Sequence, residues 1–192
     1  NYERQRRDLH DYKNQLTCIQ GLLLEDRREA ALHYVETLNG RLRKNADFVN
    51  TNHAVVNVVL NQKYQSALER NITMLLSVND LAGLTMLEED LVTLLVNLLD
   101  NAVEACEKLE ENRVIRFKMV LEEGELILSV RNPVAVPVII DGKRIVTTKK
   151  DGGNHGIGLL NVNGVIERSG GTSALRCEDG WFCFSAMIPA AE

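Results

Sequence analysis

The chain has no apolar run of roughly eighteen residues, the length a bilayer-crossing helix needs, so nothing in its 192 residues reads as a membrane span. It has no excess of basic charge. Lys and Arg number 22 against 27 Asp and Glu, a net charge of −5, which argues against a nucleic-acid partner. Residues 1 to 50 carry 9 basic and 8 acidic side chains, leaving 13 and 19 for the remainder, so the acidity belongs to the C-terminal part. The cysteines Cys18, Cys106, Cys177 and Cys183 lack metal-ligand spacing and sit in apolar patterns. They read as reduced core thiols of a cytosolic compartment, with Cys177 and Cys183 placed to approach each other across a hairpin. Internal repeats and low-complexity stretches are also missing. What is present, 45% hydrophobic and 26% charged, is an ordinary globular composition, long enough for a sizeable core and for one large or two small domains. The chain starts at Asn1 on a charged, helical-looking segment, so the expectation is a fragment of a longer protein whose membrane anchor lies upstream.

The strongest periodic signal runs from about Leu87 to Leu109. Leu91, Leu94, Leu95, Leu98, Leu99, Ala102, Ala105, Cys106 and Leu109 recur at helical spacing, predicting a helix with one face in a core. On the other face Asn97 and Asn101 lie one turn apart, with Glu104 close to both. Asn is a mediocre helix former because its amide competes for backbone groups, so two in mid-helix suggest a task. The plainer reading is a solvated stripe shared with Thr93, Asp100, Glu104 and Lys108. Downstream, Asp151-Gly152-Gly153-Asn154-His155-Gly156-Ile157-Gly158-Leu159-Leu160-Asn161-Val162 is a glycine-rich run opening into a second helix. Glycines allow close backbone approach to an anion, and free N–H groups at a helix start attract phosphate; alone, such a run is equally a flexible turn.

Together and in this order, the two stretches resemble the N box and G2 box of the GHKL ATPase superfamily, specifically sensor histidine kinases. The N-terminal region extends the likeness. Leu9, Tyr12, Leu16, Ile19 and Leu23 form a seam of coiled-coil spacing, and after Glu25-Asp26-Arg27-Arg28 a second helix to about Lys44 carries Ala31, Val35, Leu38 and Leu42. Two such short helices bury their seams poorly alone, so a second copy completing a four-helix bundle, hence a homodimer, is expected. Beside the first seam stands Arg7-Asp8-Leu9-His10-Asp11-Tyr12-Lys13-Asn14. His10 alone is an ordinary surface histidine, but Asp11 follows it and Asn14 lies one turn on along the same face. Asp11 could orient the imidazole tautomer, and Asn14 could hold a phosphoryl oxygen or a hydrolytic water. The pattern His-Asp-x-x-Asn resembles the phosphoacceptor box of the AgrC-like, peptide-sensing group of histidine kinases.

Residues 45 to 52 read as a polar connection into a third helix, about His53 to Arg70, with Val55, Val56, Val59 and Leu60 on its apolar face. Ile72 to Val78 reads as a strand. Val114 to Leu121 alternates and pairs with Leu126 to Asn132 across Glu122-Glu123-Gly124-Glu125. Thr172 to Cys177 and Trp181 to Ile188 form another hairpin around Glu178-Asp179-Gly180. Half-polar strands interspersed with three helices predict an α+β chain, a helical hairpin over residues 1–50 and then a two-layer α/β sandwich over 51–192; the resemblance implies dimerisation and histidine phosphotransfer for the first and ATP binding, on the GHKL (Bergerat) fold, for the second. Pro133 to His155 has no clear period, and long connections of that kind are usually functional. It reads as a lid ordering over nucleotide, with Thr147, Thr148, Lys149 and Lys150 as phosphate contacts or as solvated surface.

The resemblance implies ATP with Mg²⁺ bridging its phosphates. By position Asn101 matches the metal-coordinating asparagine and Asn97 the polar residue one turn before it. Gly156, Gly158 and the backbone N–H groups of Leu159 and Leu160 would receive the triphosphate, while His155 caps or packs the lid, or touches phosphate. The γ-phosphoryl group would pass to His10, most plausibly to Nε2. One departure stands out. Where the family usually has Asp-x-Gly-x-Gly, this chain has Asn132-Pro133-Val134-Ala135-Val136, so a neutral amide replaces the acid that accepts from the adenine amino group. That acceptor is weaker by about 1 kcal/mol, and weak ATP affinity follows. The implied function is autophosphorylation and transfer to an aspartate of a response-regulator receiver domain, in the cytoplasmic part of an integral membrane sensor. The alternative is a non-catalytic phosphotransfer or scaffold protein whose nucleotide site has decayed. A protein-serine kinase acting on an anti-sigma partner is a third reading, which leaves the His10 region unexplained.

Overall fold

The computed structural model describes residues 2–39, 49–142, 144–145 and 155–191. The chain divides into two compact units, Asn1–Asn45 and Ala46–Glu192. In the first, α1 (Tyr2–Leu24) and α2 (Arg28–Asn39) form an antiparallel hairpin. Asp26 makes the turn at φ 57°, a left-handed position that Asp tolerates better than most residues, while the Arg27 N–H donates back to Leu22 O at 2.9 Å. Ala31 is buried between the helices, whereas Leu16, Leu23, Leu32 and Leu38 stay exposed. The expected continuation of the second helix to Lys44 lies outside the described residues.

The second unit begins with α3 (Ala54–Glu69). His53 caps it, its Nδ1 accepting from the Val56 N–H at 3.4 Å. The β-branched residues that lower its helix propensity are tolerated because Val56, Val59 and Leu60 are buried, and tertiary packing outweighs propensity. The segment before it is pinned to α3 by Asn61, which accepts from Val49 N at 2.8 Å and donates to Val49 O at 2.9 Å.

The chain continues as β1 (Thr73–Val78), α4 (Glu88–Glu107), β2 (Val114–Glu122), β3 (Glu125–Pro133), β4 (Ile140–Asp141), β5 (Arg144–Ile145), α5 (His155–Arg168), β6 (Thr172–Glu178) and β7 (Trp181–Pro189). Five strands make one sheet in the order β1-β2-β3-β7-β6. β1 runs parallel to β2, with α4 as the crossover that a parallel pair requires, and the other pairs are antiparallel. The β2–β3 and β6–β7 turns each place two consecutive residues at positive φ, Glu123-Gly124 and Asp179-Gly180, the geometry that matches strand twist.

Alternation gives the sheet one apolar face. Ile115, Phe117 and Met119, then Leu126, Leu128 and Val130, then Phe184, Ala186 and Ile188, are all buried with Leu91, Leu94, Leu95, Leu98, Leu99 and Ala102 of α4 in one core. The opposite face carries Arg116, Lys118, Arg131, Arg176 and Met187 in the open. Among the described residues no helix is long and apolar enough to cross a membrane.

Two expectations need correction. The stretch after Pro133, read as having no period, contains a small hairpin, β4 with β5. Strands of two residues each are too short to leave a periodic trace. Cys177 and Cys183 do not face each other: the register pairs Cys177 with Phe182 and Cys183 with Arg176, so the two thiols fall on opposite faces of the hairpin. Cys177 Sγ instead accepts from the Val138 N–H at 3.3 Å. Burial pushes the Cys106 thiol up to about 11, against a smaller lowering by nearby Arg113. In mildly alkaline buffer, thiol reagents should therefore modify exposed Cys18 quickly and Cys106 only on unfolding. Peptide mapping of the native, oxidised protein should find no Cys177–Cys183 bridge, and finding one contradicts the register.

Candidate functional site

On α4 the apolar stripe faces the sheet and the asparagines face the next helix. Asn97 donates through Nδ2 to the Thr93 carbonyl at 2.7 Å, a back-bond one turn along its own helix. That fixes the amide plane and turns Oδ1 toward α5. There Gly158 stands so close that a Cβ built on it would lie 3.0 Å from Asn97 Oδ1 and 3.6 Å from Asn101 Nδ2. The two stretches singled out in the sequence thus meet at Gly158, where the missing side chain makes room for the asparagine amides. Asp100, between the asparagines in sequence, turns away to Lys63 of α3 at 2.5 Å. Glu104 is exposed.

Salt links set how the helices sit around α4. Asp90 in its first turn pairs with Arg168 in the last turn of α5 at 2.8 Å, and Glu107 in its last turn with Arg70 at 2.8 Å. The three acids Glu88, Glu89 and Asp90 also suit the positive end of the α4 dipole. Sequence reasoning missed the Asp90–Arg168 pair. Its only trace is an acid and a base at helix ends far apart in the chain, which periodicity does not connect.

The start of α5 fixes which backbone N–H groups lack a partner within the helix. An α-helix leaves only its first few N–H groups without an internal partner. With α5 starting at His155, those groups lie at the His155–Ile157 end, and the amides of Leu159 and Leu160 fall inside the helix ladder. The Leu159 side chain is buried in the core and that of Leu160 is exposed. Lys149 and Lys150, with Thr147, Thr148 and the stretch 151–154, lie outside the described residues. His155 and Gly156 are placed only as the first residues of α5.

Asn132 is 2% exposed at the end of β3. It points to the same, helix-covered face as Leu126, Leu128 and Val130, and its Nδ2 donates to the Pro133 carbonyl at 3.0 Å. In the separate helical unit, His10 is exposed and Asn14 Nδ2 lies 3.2 Å from its Nδ1. The expected pairing along one face of α1 is present, with Asn14 on the imidazole itself. Asp11 lies in α1, and its side chain is outside what is described.

The Gly158 contact yields a stability test. Ala in place of Gly inside a helix normally gains about 0.5–1 kcal/mol. Here the added methyl presses on an Asn97 amide already held by Thr93. Gly158→Ala should be neutral or destabilising in the native sequence and stabilising by about 0.5–1 kcal/mol when Asn97→Ala is also made. Urea unfolding of all four proteins measures this coupling, and simple additivity would contradict the contact.

Comparison with known proteins fits this geometry. The family model described as the GHKL domain matches residues 86–189. No curated protein sequence matches the chain. Among solved structures, the histidine kinase AdeS of Acinetobacter baumannii is similar at 20% identity and TM-score 0.53, over 94% of this chain and 97% of that one. The catalytic domain of the histidine kinase ThkA aligns at 20% identity and TM-score 0.56, over 73% of this chain and 93% of that one. Full-length ShkA, solved in complex with AMPPNP, aligns at 20% identity and TM-score 0.54, over 90% of this chain and 39% of that one. At such identities the likeness is one of fold: helices followed by a mixed five-stranded sheet with its covering helices, as in histidine kinase catalytic domains. The family match over more than half of the chain, centred on α4 and α5, assigns the chain to the GHKL domain family.

Proposed function

We propose that this chain is the dimerising and ATP-binding core of a sensor histidine kinase of the AgrC-like group, which phosphorylates itself on His10 and passes the phosphoryl group to an aspartate of a response-regulator receiver domain. The observation that carries the reading is the approach of Gly158 to Asn97 and Asn101. A glycine facing two amides across two helices lets the amide-bearing face of α4 come against the first turns of α5, so the two candidate stretches meet in one place. ShkA, similar in fold, was solved with an ATP analogue, which supports the choice of ligand.

The residues present fit a magnesium nucleotide. Mg²⁺ takes hard oxygen donors, commonly one or two from protein with phosphate and water completing its shell, so the side-chain carbonyl of Asn101 is a chemically sufficient protein ligand. When bound, the ion neutralises charge on the phosphates. Asn97 keeps its Oδ1 toward the same seam because Thr93 holds the other end of its amide. The N–H groups at the start of α5 offer a positive helix terminus to phosphate, with Lys149, Lys150 and His155 as further contacts. Asn132 commits Nδ2 to Pro133, so its Oδ1 is the atom suited to accept from the adenine amino group.

At His10 the acceptor nitrogen attacks the γ-phosphorus as the bond to the ADP oxygen breaks, giving phosphohistidine and ADP. For Nε2 to carry the lone pair, Nδ1 must bear the proton, and Asn14 must then accept it through Oδ1. That is the alternative amide orientation to the one placed in the structure, and the two are related by a simple flip. Asn14 thereby acts as a positioning residue for the imidazole, with Asp11 beside it, before any contact with a phosphoryl oxygen or water. The open leucines of the hairpin, Leu16, Leu23, Leu32 and Leu38, favour a homodimer through a four-helix bundle. Attachment to a membrane would come through a sensor region outside this chain.

A second reading, a phosphotransfer or scaffold protein without catalysis, draws on one feature: a buried neutral Asn132 in place of the acid. Incubation with γ-labelled ATP and Mg²⁺ separates the two. The kinase reading expects acid-labile, alkali-stable label that is lost in His10→Gln and in Asn101→Ala, with dimerisation by light scattering unchanged. Label surviving His10→Gln refutes the acceptor, and an unlabelled native protein favours the scaffold.

A further inference from the structure

The face of the sheet away from the helices carries its own chemistry, arranged in rows by strand register. One row runs Arg116, Arg131, Cys183, Arg176 across β2, β3, β7 and β6, with Lys118 two residues along β2. Trp181, the single tryptophan of the chain, lies on the same face two residues before Cys183 and is half-buried. The guanidinium groups of both Arg116 and Arg131 sit over its ring, at 5.8 and 5.6 Å from the centroid.

Arg116 and Arg131 are direct cross-strand partners, and like charges so placed repel. Yet among the described residues neither they nor Arg176 and Lys118 are ion-paired. The Trp181 ring accounts for how two cations are tolerated side by side, since it attracts both through its π face. It leaves their N–H donors unspent, and a guanidinium presents five of them in a planar fork that matches a carboxylate. Further along the strands the face becomes apolar at Val120, Ile127 and Met187, then acidic. Glu122, Glu123 and Glu125 line a shallow depression there with Ile127 and Met187. Six residues of β2 separate Arg116 from Glu122, about 20 Å of strand.

We propose that the Arg116–Trp181–Arg131 platform, flanked by Arg176 and Lys118, docks a short carboxylate-rich segment of a partner protein. The charge map selects this occupant. A segment lying across the strands from β2 to β6 meets the arginine row over roughly 15 Å of inter-strand spacing, with Glu178, the cross-strand partner of Trp181, as the acid at its β6 edge. A nucleic-acid duplex or an anionic bilayer extends in both directions and would also meet the glutamate end, on a protein whose net charge is −5. Carboxylates take the arginine forks, and an apolar or proline residue of the segment covers Trp181. This site makes no use of nucleotide and stands whether or not the chain is a kinase.

Because Trp181 is the sole tryptophan, its emission reports directly on the platform. Titration of the full chain at low salt with a Glu/Asp-rich peptide lacking Trp and Tyr should give a saturable change in that emission. Half-saturation should rise at least roughly tenfold when salt screens the charges. It should rise comparably in Arg116→Gln/Arg131→Gln, partially in Arg176→Gln, and not in Arg28→Gln, which changes an exposed charge in the hairpin. An Arg116→Glu/Arg131→Glu protein should respond to a Lys-rich peptide instead, with circular dichroism showing that each variant remains folded. No response of the native protein, an equal response in the double Gln variant, or a response to duplex DNA or anionic vesicles but not to the acidic peptide would each overturn the proposal.

Discussion

The second unit depends on how closely α4 and α5 approach. Gly158 sets that distance, because a side chain there would collide with Asn97. The force holding the helices together is apolar: Leu98, Leu99, Leu159 and Val162 belong to one core, and truncating a single such leucine typically costs about 2–5 kcal/mol. The Asp90–Arg168 pair, with its arginine 64% exposed, is worth at most about 1 kcal/mol. It therefore orients the helices rather than binding them. The division of labour is useful chemically. Leucines on one side of α4 fix the helix to the sheet, which leaves the asparagines on the other side at a defined height beside α5.

The same logic of two faces governs the sheet. One side is filled by Phe117, Phe184 and their aliphatic neighbours, and alternation then forces the polar residues of the same strands outward in register. Arginines gather near one end, beside the single acid Glu178, and Glu122, Glu123 and Glu125 near the other. Trp181 is the large aromatic on that face, and its position over two guanidinium groups gives it a physical reason to be there.

Long periodic segments were legible in the sequence. The stripe from Leu91 to Cys106 announced α4, and the alternation of Ile115, Phe117 and Met119 announced β2, because burial imposes a period that many residues repeat. The glycine run and the asparagine pair marked the site as two separate pieces. That they touch through Gly158 was not legible, since no pattern in a single chain reports distance between helices. The separation of Cys177 and Cys183 is not legible for a related reason: facing partners across a hairpin depend on the turn, and Asp179-Gly180 sets a register that keeps them apart. The start of α5 at His155 was equally hidden, because Gly156 and Gly158 read as turn residues yet lie within the helix. Packing against α4 explains this, as Gly158 is retained there for closeness rather than for an unusual backbone angle.

The claim underlying the functional reading is that amides on α4 and the glycine-opened end of α5 form one magnesium-nucleotide site. Calorimetric titration of the full chain with ATP, with and without Mg²⁺, addresses it most directly. The account predicts a weak but saturable binding heat that requires the metal. Absence of any magnesium-dependent heat at millimolar nucleotide would contradict it.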